Sequence, residues 1–410
     1  MKKIYTGIDI GSDSVKMVVG ELIQDKVHVL SSSCVRSVGI KKGKVKDSSL
    51  LARSIFLAKE EVESFLGLDI SKAIVNVPSN SCNMTIVSGS ISFDTEKEID
   101  GDDVVSVLKD ALLGQINENE ELVTVMPIHF ILDNEEACMD PKGKVSKTLS
   151  VKAVISKVLK EDIYPVIEAC MEAEIEVVDI CFCTIGDYYE ASKTGYDSVV
   201  GAIVNIGSET TTVSIFNKGI MIKNSVIEVG SKYVDHDISY IYKVDKTTAR
   251  RLKETFAVSC SSYADYNDIL EIDSNLQEKL VFNQGEISEI VESRLKEILK
   301  LTKKEINLLT NREISYIIIT GGISEMAGFA YLVNNVLGKK AITLNMTLMG
   351  SRENKYSSVL GMIKYFIAKL DLRGQEYSMV SFEDMNSKSN KKRNSNLSKD
   401  AIVNKIFGRL

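Results

Sequence analysis

Ile8-Asp9-Ile10-Gly11-Ser12-Asp13-Ser14 returns 196 residues later as Val204-Asn205-Ile206-Gly207-Ser208-Glu209-Thr210. Each copy lies between two β-rich runs, 3–10 and 15–21 for the first and 199–206 and 211–216 for the second. The pattern predicts two β-hairpins whose glycine-bearing turns expose backbone N–H groups and small hydroxyls. One such turn reads as an ordinary hairpin. Two of them, facing each other, can clamp a polyphosphate from both sides.

A third element completes the set. Ile317-Ile318-Ile319-Thr320-Gly321-Gly322-Ile323-Ser324 reads as a strand entering a glycine pair, followed by a helix to residue 337 capped by Ser324. Paired glycines let a base or ribose approach the backbone, and a helix start behind them offers unpaired N–H groups. The three parts together describe a nucleotide site.

Between these landmarks the pattern predicts strands at 3–10, 15–21 and 27–38, then a helix over 48–66 with Asp47 as N-cap and Gly67 as terminator, and a strand at 73–77. Residues 83–162 change character. Strands near 84–93, 122–132 and 148–155 with one helix near 102–113 read as a small α+β insertion, and Asp140-Pro141-Lys142-Gly143-Lys144 within it is turn chemistry. The first unit then resumes with a helix over 162–173, a strand over 175–180 and a helix near 185–192. After the second hairpin, residues 232–311 read as largely helical, and a strand over 314–320 leads into the glycine pair. The segment 372–397 is polar and poor in aromatics, as a linker is.

At 410 residues the chain exceeds one ordinary core, and 44% hydrophobic with 26% charged residues is a globular composition. No apolar run approaches the ~18 residues that span a bilayer, and the first residues lack a signal-peptide core, so the expected location is cytoplasmic. Seven scattered cysteines argue against a disulfide framework, and three histidines without ligand spacing argue against a His-based metalloenzyme. The net charge of −7 is uneven: 388–410 carries +6, leaving −13 on the body. An acidic body with a basic tail argues against a nucleic-acid-binding body and points the tail at an anionic surface.

The three-part site, in this order, resembles the actin, sugar-kinase and heat-shock-chaperone superfamily of ATPases. Within it the chain resembles the FtsA family of bacterial cell-division proteins. The insertion sits where that family has its extra subdomain. Glu228-Val229-Gly230-Ser231…Asp237-Ile238 and Ala249-Arg250-Arg251-Leu252-Lys253 are similar to the family's second connection and its adenosine-contacting helix, and Ile290-Val291-Glu292-Ser293-Arg294-Leu295-Lys296-Glu297-Ile298 matches a recurrent helix. The resemblance implies an α/β, actin-like (ribonuclease H-like) two-domain ATPase fold with an inserted α+β subdomain and a C-terminal amphipathic helix. It divides the chain into a first domain (1–82 and 163–196) interrupted by the insertion (83–162), a second-domain core (197–231), a helical, FtsZ-docking subdomain (232–311), the rest of the second core with a closing helix (312–371), the linker (372–397) and the terminal helix (398–410).

Roles follow by resemblance. Asp9 would order Mg2+ through water. Gly11, Ser12, Asp13 and Ser14 would form the first phosphate turn, with Lys16 reaching the phosphates; Asn205, Gly207, Ser208, Glu209, Thr210 and Thr211 would form the second. Lys253, Gly321, Gly322 and Ser324 would hold the adenosine of ATP. Arg294, Lys300 and Lys303 would meet the acidic C-terminal peptide of FtsZ. Two positions depart from the family pattern: Asn205 stands where Asp is usual, and Glu209 puts a carboxylate beside phosphate. Asn can order a metal-bound water but cannot act as a base, so at most a slow ATPase is expected, with Asn205→Asp raising the rate.

In the tail, Ile402, Val403, Ile406, Phe407 and Leu410 share one helical face, flanked by Lys399, Lys405 and Arg409, with Lys388, Lys391, Lys392 and Arg393 upstream. This is the pattern of a helix lying on anionic lipid. The expectation is a peripheral protein at the cytoplasmic face of the division septum that forms filaments, tethers FtsZ and recruits later division proteins. A pilus-type actin-like scaffold and a small-metabolite kinase are the alternatives.

Overall fold

The computed structural model describes residues 2–133, 137–273, 279–346 and 353–380. The tail residues Ile402, Val403, Ile406, Phe407 and Leu410, and most of the linker, lie outside the described residues.

The chain opens with a meander of β1 (Lys3–Ile10), β2 (Ser14–Ile23) and β3 (Lys26–Arg36), then a short hairpin, β4 (Ile40–Lys41) and β5 (Lys44–Val45). Helix α1 (Ser48–Leu66) starts where the Asp47 carboxylate accepts from Leu50 N–H at 3.0 Å and stops at Gly67, whose φ of 65° is left-handed. Its buried residues Leu51, Ile55, Ala58 and Val62 follow a helical period against the sheet. β6 (Lys72–Asn76) then pairs parallel with β1.

The insertion has its own core: β7 (Asn83–Glu98), α2 (Gly101–Leu112), β8 (Glu120–Leu132), β9 (Ala137–Cys138) and β10 (Val145–Leu159) form a sheet of order β7-β10-β8-β9 covered by α2. The first unit resumes through α3 (Lys160–Glu172), β11 (Glu176–Cys181) and α4 (Cys183–Ala191). The second unit runs β12 (Val200–Ile206), β13 (Thr211–Asn217), β14 (Ile220–Ile227), α5 (Lys232–Tyr242), α6 (Lys246–Thr255), β15 (Ile269–Asp273), β16 (Lys279–Asn283), α7 (Gln284–Leu309), β17 (Tyr316–Thr320), α8 (Phe329–Leu337), β18 (Ala341–Thr343) and α9 (Ser357–Leu372).

The two main sheets repeat one topology. Order β11-β6-β1-β2-β3 in the first matches β18-β17-β12-β13-β14 in the second, each an antiparallel meander extended by two parallel strands. Helices α4 and α9 end the two halves and pack against each other. They cross at glycines: a Cβ on Gly361 would lie 1.6 Å from the carbonyl oxygen of Gly186, and one on Gly186 would lie 2.1 Å from that of Ser358. Without side chains at these two positions the backbones meet directly.

The segment 232–311 is largely helical, as expected, with β15 and β16 paired antiparallel between α6 and α7. Two sequence expectations change. The closing helix α9, expected with the second core, buries Val359, Leu360, Ile363 and Phe366 in the core that also holds β1, β6 and α4. The linker begins later than residue 372, because Met379 N–H donates to the carbonyl of Ile4 at 2.9 Å and pins 377–380 to β1.

Gly361→Ala should lower stability by about 1–3 kcal/mol, the usual cost of overpacking, read as a lower denaturation midpoint. Gly322→Ala, at a position with nothing within 4 Å, should leave the midpoint unchanged.

Candidate functional site

Both hairpin turns close in the same way. Gly11 N–H donates to the Ser14 carbonyl at 3.0 Å, and Gly207 N–H donates to the Thr210 carbonyl at 2.9 Å. In the first, Asp9 and Lys16 are cross-strand partners, and Lys16 Nζ donates to Asp9 Oδ2 at 2.7 Å, below Gly11. Burial pulls the Lys16 pKa down, but the charge and hydrogen bond of Asp9 outweigh it and leave the ammonium more firmly protonated than usual. Asn76, at the end of β6, donates Nδ2 to Asp9 Oδ1 at 2.9 Å and accepts Ile10 N–H at 2.6 Å. Lys16 is therefore engaged with Asp9 rather than free at the turn.

The second turn is braced from α5: Ser231 and Lys232 N–H donate to the carbonyls of Gly207 and Ser208 at 2.9 and 2.8 Å. Asn205 Nδ2 donates to Asp187 Oδ2 at 2.7 Å. Asp187, on α4, is fully buried; burial holds its pKa above the ordinary carboxylate value, and hydrogen bonds from Asn205, Ser357, Ser358 and Thr320 offset only part of that push.

Gly321 follows directly at the end of β17. Its φ of 96° and a Cβ position 2.3 Å from the Ile206 carbonyl both demand glycine. Gly322 faces open space beside the second turn. Ser324 does not cap a long helix. The chain makes one 3-10 turn over Gly322–Glu325, α8 starts only after Gly328, and the Ser324 hydroxyl donates to the Gly321 carbonyl at 2.6 Å. The glycine pair needs that tight turn, which leaves no room for a helix to start at once.

Across the cleft the turns are joined by charge. Arg250 on α6 donates both terminal nitrogens to Asp13 at 2.7 and 2.9 Å. Glu209 accepts the backbone N–H of Lys42 at 2.6 Å and the ammonium of Lys232 at 3.0 Å, and Lys42 Nζ meets Glu228 at 2.7 Å. Three cations thus face three carboxylates at the cleft mouth. The Arg250 guanidinium holds the Asp13 carboxyl below its ordinary value, against the upward push of burial.

The remaining expected residues scatter. Lys253 is buried and paired with Asp235 at 2.7 Å. Arg294 is spent on Asp237, at 2.6 and 2.9 Å, and on Glu297. Lys300 and Lys303 lie exposed on α7, and Lys303 donates to the Val336 carbonyl at 3.0 Å. Sequence reasoning missed Lys42, Lys232 and Asp187. Nothing local marks them, since each meets its partner only through the tertiary fold.

Residues 202–361 match the family profile described as cell division protein FtsA, and residues 80–157 match the SHS2 domain inserted in FtsA. Cell division protein FtsA of Bacillus subtilis (strain 168) is 26% identical over 377 residues, covering 91% of this chain and 86% of that protein. FtsA of Streptococcus pneumoniae serotype 2 is 24% identical over 364 residues, covering 88% and 79%. The chain belongs to the FtsA family. Its fold is that of the actin-like proteins. A PilM–PilN type IV pilus biogenesis complex aligns with TM-score 0.59 at 14% identity, covering 87% of this chain and 97% of that one, and MreB5 of Spiroplasma citri bound to ADP aligns at 0.54 and 11%, covering 90% and 98%. In this FtsA-family chain the inserted domain is the sheet β7-β10-β8-β9 with α2.

The cleft bridge gives a pH signature. The folded pKa of Asp13 lies below its unfolded value of 3.8, so its pair with Arg250 stabilises above that value and is lost as pH falls through the folded one. Arg250 is 42% exposed, so the gain is about 1 kcal/mol or less. The stability difference between wild type and Arg250→Ala should be flat between about pH 5 and about pH 8, and should shrink below pH 3.8, as read by denaturant titrations across pH.

Proposed function

We propose that this FtsA-family chain binds ATP with Mg2+ in the cleft between its two sheets and serves as a membrane-tethered, self-assembling scaffold of cell division. One observation carries the nucleotide reading: two turns with the same closure are bridged by Lys232, whose ammonium reaches Glu209 of one and the Ser12 carbonyl of the other, with the open Gly322 beside the second. It is supported by the solved MreB5 structures of Spiroplasma citri, which are bound to ADP and to AMPPNP.

The oxygens at the cleft floor fit a hydrated Mg2+. Asp9 spends one acceptor site on Lys16 and one on Asn76, leaving others for metal-bound water. When bound, the ion would offset phosphate charge against Asp13 and Glu209. Phosphates would compete with those two carboxylates for Arg250, Lys232 and the backbone N–H of Lys42, so nucleotide acts on the same closure the bridges already hold. Asn205 is neutral, and hydrolysis is at most slow.

Lys16→Ala is a poor test of binding, because it leaves Asp9 buried without its cation, a loss of about 3–5 kcal/mol. Gly322→Val builds into that open space, since nothing lies within 4 Å of a Cβ added there. Isothermal titration should show ATP affinity at least about ten-fold weaker, equivalent to about 1.4 kcal/mol, with the thermal midpoint unchanged. Unaltered affinity in that variant rejects the cleft as the nucleotide site.

For the FtsZ peptide, Lys300, Lys303 and Lys304 line a shallow groove of about 390 Å3 with Asn307 and Leu308. Arg294 drops out of the expected set, because Asp237 holds it. Acidic side chains would meet the lysines while Leu308, which is exposed, takes an apolar one. The tail would hold the chain on anionic lipid at the cytoplasmic face of the septum, where filament formation multiplies weak single-tail affinity. Among the described residues no helix is long and apolar enough to cross a membrane. Recruitment of later division proteins completes the reading. Both charged contacts should weaken as salt rises. Fluorescence anisotropy should show FtsZ peptide binding lost in Lys300→Glu/Lys304→Glu, and liposome pelleting should be lost without 398–410; retention of either denies that contact.

A further inference from the structure

The two halves carry the same amide–carboxylate pair in opposite order. In the first, the strand position two residues before the turn glycine is a carboxylate, Asp9, and the group behind it is an amide, Asn76, its neighbour on the adjoining parallel strand. In the second, the equivalent strand position is an amide, Asn205, and the group behind it is a carboxylate, Asp187, from α4. Thr320, the parallel-strand neighbour of Asn205, turns its hydroxyl to the same carboxylate at 2.9 Å.

Asp187 is held on every side. Oδ1 accepts Ser357 and Ser358 hydroxyls at 2.6 and 2.9 Å, and Oδ2 accepts Asn205 and Thr320. The two serines open α9, whose first turn favours negative charge. The glycine crossing brings α4 and α9 close enough for this, since Gly186 precedes Asp187 directly. A carboxylate can only accept, so the Asn205 side that faces it must be the NH2, which also donates to Ser358 Oγ at 3.2 Å. The amide oxygen is then the group left to face the cleft.

We propose that Asp187 is a positioning residue that locks the Asn205 amide with its oxygen toward the cleft, so that the second hairpin presents a neutral acceptor where the first presents the carboxylate of Asp9. The negative charge of the second half sits one layer deeper, beneath the amide. The cleft floor then carries one carboxylate, and on the second side the Asn205 carbonyl oxygen would be the acceptor for water on a bound metal ion. This rests on the reading of the cleft as a nucleotide–metal site. It also implies that Asn205→Asp alone does not raise hydrolysis. That change sets two carboxylates against each other where 2.7 Å now separates amide from carboxylate.

The test is the set Asn205→Asp, Asp187→Asn and the exchange of both, in the full chain. Asn205→Asp should lower the thermal midpoint and weaken Mg·ATP binding. The double exchange should recover more than half of the lost midpoint and raise the ratio of ATP affinity with Mg2+ to that with EDTA at least about ten-fold over wild type, which a purely structural contact would not do. The positioning role is overturned if Asn205→Asp alone is as stable as wild type, or if the double exchange is no more stable than that single variant. It is likewise overturned if the midpoint recovers but the Mg2+ ratio does not move. The thermal series needs no nucleotide. If wild type binds no ATP, the cleft reading fails while the midpoints still judge whether Asp187 fixes Asn205.

Discussion

The floor of the cleft beneath the second hairpin depends on the contact of two helices at two glycines. Each half of the molecule ends in a helix, and α4 and α9 can close the two halves together only because neither has a side chain at Gly186 or Gly361. That approach carries Ser357 and Ser358 to Asp187, and Asp187 to Asn205 and Thr320. One packing constraint therefore reaches the floor of the second hairpin through a chain of hydrogen bonds. Interiors of this density transmit such constraints because neighbouring atoms have no slack to absorb them.

The mouth of the cleft follows a different logic. Asp13 and Glu209 sit at the tips of turns whose backbone suits anions, and each meets a cation brought from another element, Arg250 from α6 and Lys232 from α5, while Lys42 of the β4–β5 turn gives Glu209 its backbone N–H. Carboxylates take the places a bridging phosphate would take. The arrangement links closure of the two units to electrostatics that salt and pH can reach, while the Asp187 node beneath is sealed from solvent.

Much of this was legible in the residues. The duplicated phrase predicted two hairpins, and both formed with the expected strands. The Asp47 and Gly67 signals delimited α1 correctly, because capping is local chemistry. The break in pattern at residue 83 marked the insertion, since its sheet builds a separate core. Errors came where local signals competed with distant ones. Ser324 looks like an N-cap, yet its hydroxyl turns back to Gly321 and accepts from Asn354 at 2.9 Å. Arg294 and Lys253 look like free cations on helices, but α5 supplies each with an acid.

The sequence by itself determined the repeated strand–turn–strand units, the position of the insertion and the glycine pair after β17, because each is written in residues close together along the chain. Only the tertiary structure decided which charges meet across the cleft, that α9 packs with the first core, and that a carboxylate from α4 lies behind the Asn205 amide. Asp187 and Asn205 are 18 residues apart on different elements, and neither residue type announces the other. What joins them is a helix crossing set by two missing side chains, a fact that belongs to packing and to no single stretch of the chain.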